Sequence, residues 1–262
     1  MENETRKNFL KKIIGLAALG VVSTNVSGSS NIPGYAGEKK SVEFQGQKGK
    51  RWGMVIDLRK CVGCQSCTVS CMVENNIPEG FFRTVVSDYE VVRHDQSRRQ
   101  PLPRLCNHCE HPSCVTVCPT QATYQRDDGV VIIDNDVCIG CAACVQNCPY
   151  DARFINPETN TADKCTLCVH RVDQGFLPAC VETCVGGARV FGDLNDPESD
   201  VSLLIKEHSV QTLKPATGNE PQVFYIGLDS YLQDRPNEGL PTLFSFEKLG
   251  LQENTSINRE DK

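Results

Sequence analysis

Cysteine spacing constrains this 262-residue chain more than any other feature, because all sixteen cysteines fall into four complete quartets. The first and third quartets read C-x2-C-x2-C-x3-C. The second widens the middle gap to four residues, and the fourth widens it to eleven. In chain order, the quartets are Cys61, Cys64, Cys67 and Cys71; Cys106, Cys109, Cys114 and Cys118; Cys138, Cys141, Cys144 and Cys148; and Cys165, Cys168, Cys180 and Cys184.

The short gaps between cysteines predict ligands of 4Fe-4S clusters, in the spacing of bacterial ferredoxins. Three thiolates two residues apart can surround one corner of a cubane, while their backbone N–H groups turn toward its sulfides. Gly63 and Gly140 lie inside the first turn of their quartets, where the backbone must bend tightly. We therefore predict that all sixteen cysteines bind iron, in four 4Fe-4S clusters.

Disulfides and zinc are the other uses of such cysteines. An even cysteine count in an exported chain fits disulfides, and all-cysteine zinc sites also contain C-x2-C pairs. However, a disulfide framework has no reason to repeat C-x2-C, and zinc ribbons lack the C-x3-C-P ending of the second and third quartets. A disulfide-stapled or zinc-stapled secreted binding module remains a remote alternative, which iron and acid-labile sulfide analysis would separate from the cluster prediction.

The acidic balance of the chain excludes nucleic acid as a partner. Its formal net charge is -6, and sixteen thiolates on four oxidised cubanes bring the total to about -14. The sequence has no G-x-G-x-x-G after a strand, no P-loop and no G-x-S-x-G elbow. Because cysteines fill every ligand position of each cubane, no iron is open to substrate. The expected role is electron transfer, without catalytic residues.

The amino terminus resembles an export signal. Residues 1–12 are basic, and the apolar run at 13–22 is too short to span a bilayer. Around Arg6 and Lys7, the sequence TRKNFLK resembles the twin-arginine pattern, with lysine in place of the second arginine. We expect residues 1–37 to be a twin-arginine-like export signal and flexible leader, since that route carries proteins already folded around their cofactors.

Short strands are expected to lead into the cluster loops. Apolar β-branched runs at Trp52–Asp57 and Gly129–Asp134 precede the first and third quartets. An alanine recurs four positions after the last cysteine of three quartets, at Ala122, Ala152 and Ala188. This pattern indicates an internal repeat of about thirty to thirty-six residues.

Two regions lack cysteines. An insertion follows the first quartet and contains a strand-like stretch at Arg83–Arg93. The second region, 193–262, is predicted to be a C-terminal extension with a helix at Val201–His208, a strand at Gln222–Leu228 and a frayed polar tail at 252–262. No apolar stretch of 18 residues occurs in the sequence, so we expect membrane association only through a partner.

Polar residues near the quartets have two interpretations. His108 and His111 lie inside the second quartet, where they could donate hydrogen bonds to a cluster or be solvated loop residues. Five cations flank the quartets and could offset the charge of the clusters or be ordinary surface cations. They are Arg104, Arg153, Lys164, Arg171 and Arg189.

The order of the four quartets is similar to that of the iron–sulfur subunits of molybdopterin oxidoreductases, such as the dimethyl sulfoxide, polysulfide and formate enzymes. This resemblance covers residues 51–192. Within the group, the sequence looks like the subunits of tetrathionate reductases in five segments: Ile56–Cys71, Cys148–Asn156, Thr161–Cys165, Cys180–Arg189 and Val223–Asp229.

The resemblance implies a periplasmic respiratory complex on the outer face of the inner membrane. A quinol-oxidising integral membrane subunit would supply electrons, this chain would relay them, and a molybdopterin catalytic subunit would reduce tetrathionate to thiosulfate. The same role in a polysulfide or thiosulfate reductase, a dimethyl sulfoxide reductase or a nitrite-reductase-linked complex remains open, because the substrate pocket is not in this chain.

The quartets are expected to exchange their last ligands. In two-cluster ferredoxins the fourth thiolate leaves its loop on a helix and binds the other cluster. Only nineteen residues separate Cys118 from Cys138, so the second and third quartets should pair. The first and fourth then pair, as they do in the family. The expected ligand sets are Cys61, Cys64, Cys67 and Cys184; Cys71, Cys165, Cys168 and Cys180; Cys106, Cys109, Cys114 and Cys148; and Cys118, Cys138, Cys141 and Cys144.

This exchange predicts an α+β fold of two ferredoxin-like dicluster lobes, with short strands and helices around four 4Fe-4S clusters. The cluster region is expected to cover 51–192. One lobe would combine residues 51–72 with 163–192, and the other would contain residues 104–156. The chain would leave the first lobe, build the second and return.

Overall fold

The structure, a computed structural model, describes residues 45–93 and 96–234. The expected export signal at 1–37 and polar tail at 252–262 lie outside these residues. The strands are β1 Trp52–Asp57, β2 Thr84–Arg93, β3 Gln96–Leu105, β4 Thr123–Gln125, β5 Val131–Ile133, β6 Arg153–Ile155, β7 Ala162–Lys164, β8 Arg189–Asp193, β9 Val210–Gln211 and β10 Val223–Ile226. The helices are α1 Ser66–Glu74, α2 Ser113–Thr116, α3 Ala143–Gln146, α4 Val169–Val172, α5 Ala179–Glu182, α6 Asp200–Glu207 and α7 Ser230–Asp234.

The largest sheet has the strand order β8-β1-β10-β9. Strand β1 is buried along its whole length, as its apolar sequence requires for a strand covered on both faces. It pairs with β8 in antiparallel register and with β10 in parallel register, Met54 opposite Val223. Sequence analysis placed the β10 segment in a C-terminal extension, whereas the structure places it beside the first strand, near the centre of this sheet.

Three antiparallel hairpins surround the cysteine loops. The longest joins β2 to β3 and pairs Thr84 with Leu105 at its base. The two shorter hairpins join β4 to β5 and β6 to β7. The predicted strands at Trp52–Asp57, within Gly129–Asp134 and within Arg83–Arg93 are therefore present, as is the predicted strand within Gln222–Leu228.

Most helices next to the cysteines are only one turn long, because each quartet leaves few residues between its loop and the following strand. Helix α1 packs against α5, and α2 packs against α3. Thr183 and Ser70, which precede the last cysteines of their quartets, join the first helix pair through a 2.8 Å hydrogen bond between their hydroxyl groups. The second pair is joined where the Ser113 hydroxyl donates to the backbone oxygen of Asn147.

Helix α6 agrees with the prediction at Val201–His208 and lies outside the cysteine loops. The Ser199 hydroxyl caps it by accepting a hydrogen bond from the Ser202 backbone. Val201 of this helix packs with Val55 and Ile226 in a small apolar cluster on the sheet. The main apolar core includes five cysteines of the quartets among its buried members. All described residues belong to one compact unit.

Within residues 45–93 and 96–234, no helix is both long enough and apolar enough to cross a membrane.

Candidate iron–sulfur sites

The structure brings the sixteen cysteines together in four groups, which we number along the molecule. Site 1 lies around a hollow lined by Cys61, Cys64, Cys67 and Cys184. Three of these belong to the first quartet and the fourth comes from the end of the last quartet. Cys184 follows the end of helix α5, which packs on the helix that contains Cys67.

Site 4 is the counterpart of site 1 in the second and third quartets. It lies around a hollow lined by Cys118, Cys138, Cys141 and Cys144. Here Cys118 is the incoming cysteine, since it ends the second quartet. Packing of α2 against α3 brings it to the loop of the third quartet.

Site 2 is the most deeply buried group and contains Cys71, Cys165, Cys168 and Cys180, all four of them buried. The side-chain amide of Asn75 lies 3.6 Å from the Cys71 sulfur and 3.8 Å from the Cys168 sulfur. Burial raises the pKa of the Cys71 thiol to about 12, and the negative charges of Cys180 and Cys168 add to this effect. The last cysteine of the first quartet therefore lies among the cysteines of the fourth.

Site 3 contains Cys106, Cys109, Cys114 and Cys148. Burial raises the pKa of the Cys109 thiol, and the charges of the other three cysteines raise it further. Cys148 is the incoming residue, from the end of the third quartet. Site 3 is also next to site 2, because the charge of Cys106 contributes to the raised pKa of Cys165.

A shared backbone feature shapes the four cysteine loops. The residue two positions after the first cysteine of each quartet has a positive φ: Gly63 (69°), His108 (43°), Gly140 (66°) and Leu167 (54°). Glycine adopts this conformation without strain, whereas leucine rarely does. The two glycines were expected from the sequence, whereas Leu167 was not. Its position in the quartet was the available signal.

Backbone N–H groups point at the cysteine sulfurs. Ala188 donates to the Cys184 sulfur at 3.2 Å, and Thr123 donates to the Cys118 sulfur at 3.4 Å. The recurring alanine position at Ala188 is thus a sulfur contact at the start of a strand. Hydrogen bonds to the sulfurs are one means by which proteins adjust cluster potentials. Sequence analysis did not single out Asn75 or Thr123, because neither residue type is distinctive in a loop.

Three of the five candidate cations are buried beside the cysteines. Arg153, Lys164 and Arg189 are only 5%, 1% and 3% exposed. Arg153 donates to the Cys114 sulfur at 2.9 Å, and a guanidinium nitrogen of Arg189 lies 3.8 Å from the Cys180 sulfur. The interpretation as surface cations is wrong for these three.

The other two candidate cations have different surroundings. Arg171 forms ion pairs with Glu74 and Glu182 at the surface. Arg104 is partly buried and donates to the Ser87 hydroxyl at 3.1 Å.

The two histidines of the second quartet differ from each other. His108 is 1% exposed, and its Nδ1 accepts a hydrogen bond from the Val131 backbone at 3.1 Å. Burial lowers its pKa well below the usual range, and the charges of Lys164 and Arg153 act in the same direction. His108 is therefore a neutral, buried residue. His111 is exposed and lies 3.9 Å from Glu220, as a loop residue would.

The donor set fits iron–sulfur clusters. All sixteen cysteines are described, and none forms a disulfide. In the part of the chain that the structure describes, no three His, Cys, Asp or Glu side chains converge as a single metal ion requires. In a cubane each thiolate binds a different iron. A buried cation without a counter-charge destabilises the folded state. Arg153 and Arg189 contact cysteine sulfurs, and a cysteine sulfur is anionic when it binds iron. Fold and site together define a ferredoxin-like α+β protein that binds 4Fe-4S clusters.

Comparison with known proteins agrees with this class. Residues 98–194 match the 4Fe-4S dicluster domain family. The chain is 58% identical to a tetrathionate reductase subunit of Salmonella typhimurium over 189 residues, which are 71% of this chain and 76% of that protein. It is 47% identical to a tetrathionate reductase subunit of Archaeoglobus fulgidus over 198 residues, 76% of this chain and 92% of that protein.

A third relative is named for another reductase. A selenate reductase subunit of Mesobacillus selenatarsenatis is 41% identical over 209 residues, 67% of this chain and 72% of that protein. The chain belongs to the family of iron–sulfur subunits of molybdopterin oxidoreductases, with tetrathionate reductase subunits among its members.

Proposed function

We propose that this chain relays electrons, through four 4Fe-4S clusters, from a quinol-oxidising integral membrane subunit to a molybdopterin catalytic subunit that reduces tetrathionate to thiosulfate. A 4Fe-4S cluster supplies a one-electron carrier. The protein supplies the ligands, the order of the sites and the exclusion of water. The tetrathionate assignment rests on the identity to tetrathionate reductase subunits of two organisms.

The crossed ligand sets are part of this proposal. Each of the four groups of cysteines contains three members of one quartet and the last member of another. Sites 1 and 2 exchange Cys71 and Cys184, and sites 3 and 4 exchange Cys118 and Cys148. Support comes from the cysteines around the two hollows and from the mutual charge effects at the two buried sites. In this proposal, sites 1 and 2 form one of the two lobes expected from the sequence, and sites 3 and 4 form the other.

The observation that carries the relay is a gradient of exposure along the row of sites. Site 1 has an exposed cysteine, Cys64, and site 4 has another, Cys141, while every cysteine of site 2 and two cysteines of site 3 are buried. A row that is open at both ends and closed in the middle suits a carrier between two partners. Exposed apolar side chains lie beside both ends: Val62 and Val185 at site 1, and Val137 and Ile139 at site 4. Apolar surface of this kind suits a docking contact.

Chemical analysis provides the first test of the relay. Protein purified without oxygen should be brown and contain roughly sixteen iron atoms and as many acid-labile sulfides per chain. It should accept electrons from a reductant and convert no substrate alone. Stoichiometric zinc, or disulfides in place of iron, would contradict the proposal and favour a stapled binding module.

Growth experiments test the terminal acceptor. A strain lacking this chain should lose anaerobic growth on tetrathionate and regain it when the chain is supplied on a plasmid. The matched control is the Cys141→Ser variant, which removes one ligand of site 4 and should fail to restore growth. Restored growth on dimethyl sulfoxide, thiosulfate, polysulfide or nitrite, with none on tetrathionate, would assign the relay to one of those complexes instead.

Location is also part of the proposal. We place the mature chain in the periplasm, on the outer face of the inner membrane, held there by its membrane partner. The support is the twin-arginine-like pattern at Arg6 and Lys7. A reporter fused after residue 40 should reach the periplasm, lose export with Arg6→Gln and keep it with Lys7→Arg. Export of the reporter in cells without the twin-arginine machinery would contradict this route.

A further inference from the structure

Three buried cations alternate with the four cysteine sites. Arg189 lines the hollow of site 1 and lies 3.8 Å from the Cys180 sulfur of site 2. It therefore occupies the junction between these two sites. Its second guanidinium nitrogen donates to the Thr84 hydroxyl at 2.8 Å, which fixes the side chain in place.

Arg153 occupies the equivalent junction between sites 3 and 4. One guanidinium nitrogen donates to the Cys114 sulfur of site 3 at 2.9 Å. The other lies 3.3 Å from the hydroxyl of Thr123, a residue that lines the hollow of site 4. Both arginines stand five positions after the last cysteine of their quartets, so they are related by the internal repeat.

Lys164 occupies the middle junction, between sites 2 and 3. Its ammonium donates to the backbone oxygens of Val131 and Cys165, the latter at 2.8 Å. The backbone N–H of Val131 in turn donates to Nδ1 of His108, in the cysteine loop of site 3, at 3.1 Å. Lys164 is thus held between that loop and Cys165 of site 2.

These cations lack the partners that buried cations normally have. Among the described residues, no carboxylate lies within ion-pair distance of Arg153, Lys164 or Arg189. By contrast, the buried Arg126 pairs with Asp128 at 2.9 Å and with Asp173 at 2.7 Å. A buried charge without a counter-charge is strongly destabilising. The compensating charge must come from the cysteine sites themselves.

We propose that Arg189, Lys164 and Arg153 form a row of charge-compensating residues, one at each junction, that raises the reduction potentials of the two clusters beside it. Reduction adds one electron, and so one negative charge, to a cluster, and a nearby fixed cation stabilises the reduced form more than the oxidised form. This inference rests on the proposed four-cluster relay. It assigns a positioning role to residues that are not cluster ligands.

Potentiometric titration followed by electron paramagnetic resonance tests the row. The protein is reduced stepwise with dithionite under anaerobic conditions, and the Cys64→Ser and Cys141→Ser variants identify the signals of sites 1 and 4. With Lys164→Met, we expect the equilibrium constants for reduction at sites 2 and 3 to fall about tenfold or more, or about 59 mV for one electron. Sites 1 and 4 should change less.

Further variants separate charge from packing. Lys164→Arg keeps the charge and should retain the potentials. Arg153→Met should lower the reduction potentials of the clusters at sites 3 and 4. Arg189→Met should lower those at sites 1 and 2. The matched control is the double variant Arg126→Gln with Asp128→Asn, which removes a fully buried ion pair without changing the net charge and should leave all four potentials in place.

Two results would contradict the proposed effect of these cations on the cluster potentials. One is a full iron content with unchanged potentials in all three methionine variants. The other is an equal shift of all four clusters whichever cation is removed. Iron analysis of the wild-type chain is read separately, because a lack of clusters there would overturn the proposed function itself. If Lys164→Met fails to accumulate, the two arginine variants still decide the outcome.

Discussion

The two outer sites and the two inner sites each bring together four cysteines, but their surroundings differ. Sites 1 and 4 each have one exposed cysteine and each surround a hollow. All four cysteines of site 2 are buried, as are two of the four at site 3. Exposed hydrophobic side chains lie beside sites 1 and 4, and also at Phe176 and Leu177 in the long loop between Cys168 and Cys180 of site 2.

This difference shows that one loop design serves two purposes. The quartet fixes how a cluster is held, because the local backbone geometry is shared by all four loops. The surroundings fix what the cluster can contact. A closed site keeps a charged group away from water and strengthens nearby electrostatic interactions, whereas an open site can meet a partner. The following predictions test this contrast.

Loss of an inner ligand should have the largest effect. Cys180→Ser at site 2 should remove a cluster from the middle of the core and prevent accumulation of folded protein, because structural metal sites contribute their binding energy to folding. Cys64→Ser at site 1 should leave a folded chain with roughly twelve iron atoms. Iron content and anaerobic thermal unfolding measure both. Equal losses in the two variants would break the contrast.

Iron release should occur in two phases. Under a chelator or slow exposure to air, about half of the iron should leave first, because two of the four sites expose a cysteine. The remaining iron should leave only as the chain unfolds. Absorbance of the clusters and circular dichroism, followed together, check this. A single phase that tracks unfolding would show that the outer sites are as protected as the inner ones.

Two glycines of the outer sites should differ in their tolerance of alanine. At Gly140 a Cβ would lie 2.2 Å from the backbone oxygen of Asn160, whereas at Gly63 it would meet the end of the Arg99 side chain at 2.8 Å. Both have positive φ, so Gly63→Ala should cost about 1–2 kcal/mol and Gly140→Ala about 3 kcal/mol or more. Denaturant unfolding of the cluster-loaded protein measures these costs. Equal losses of stability in the two variants would show that the positive φ, and not the contact with Asn160, sets the cost of the alanine.

Hydrogen bonds to sulfur should give the smallest effects. Asn75→Leu removes the side-chain amide that lies beside two cysteine sulfurs of site 2. The equilibrium constant for reduction of that cluster should fall by about tenfold at most, which lowers its reduction potential by about 59 mV. Ser66→Ala removes a hydroxyl 3.4 Å from the Cys64 sulfur at site 1, where water can replace it, so the shift should be smaller. Redox titration measures both. A larger shift at site 1 would reverse the expected order.

The sequence was most informative where structure is local. Cysteine spacing predicts the cofactor and the loop, and apolar β-branched runs predict strands such as Trp52–Asp57, because both depend on neighbouring residues. Spacing also predicted the exchange of last ligands, through the helix that follows each loop. That assignment remains a prediction until the clusters are observed, although the grouping of the cysteines supports it.

Only the tertiary structure decided which polar residues matter. From the sequence, Arg153, Lys164, Arg189 and Arg171 cannot be divided into buried and surface cations, since each lies near a cysteine. Burial separates them, because burial depends on strands and helices contributed by distant parts of the chain. The same reason explains β10, whose sequence predicts a strand but whose place beside β1 follows from long-range pairing. Local chemistry therefore determined what this chain binds, and long-range packing determined how each site is enclosed and which charges lie between the sites.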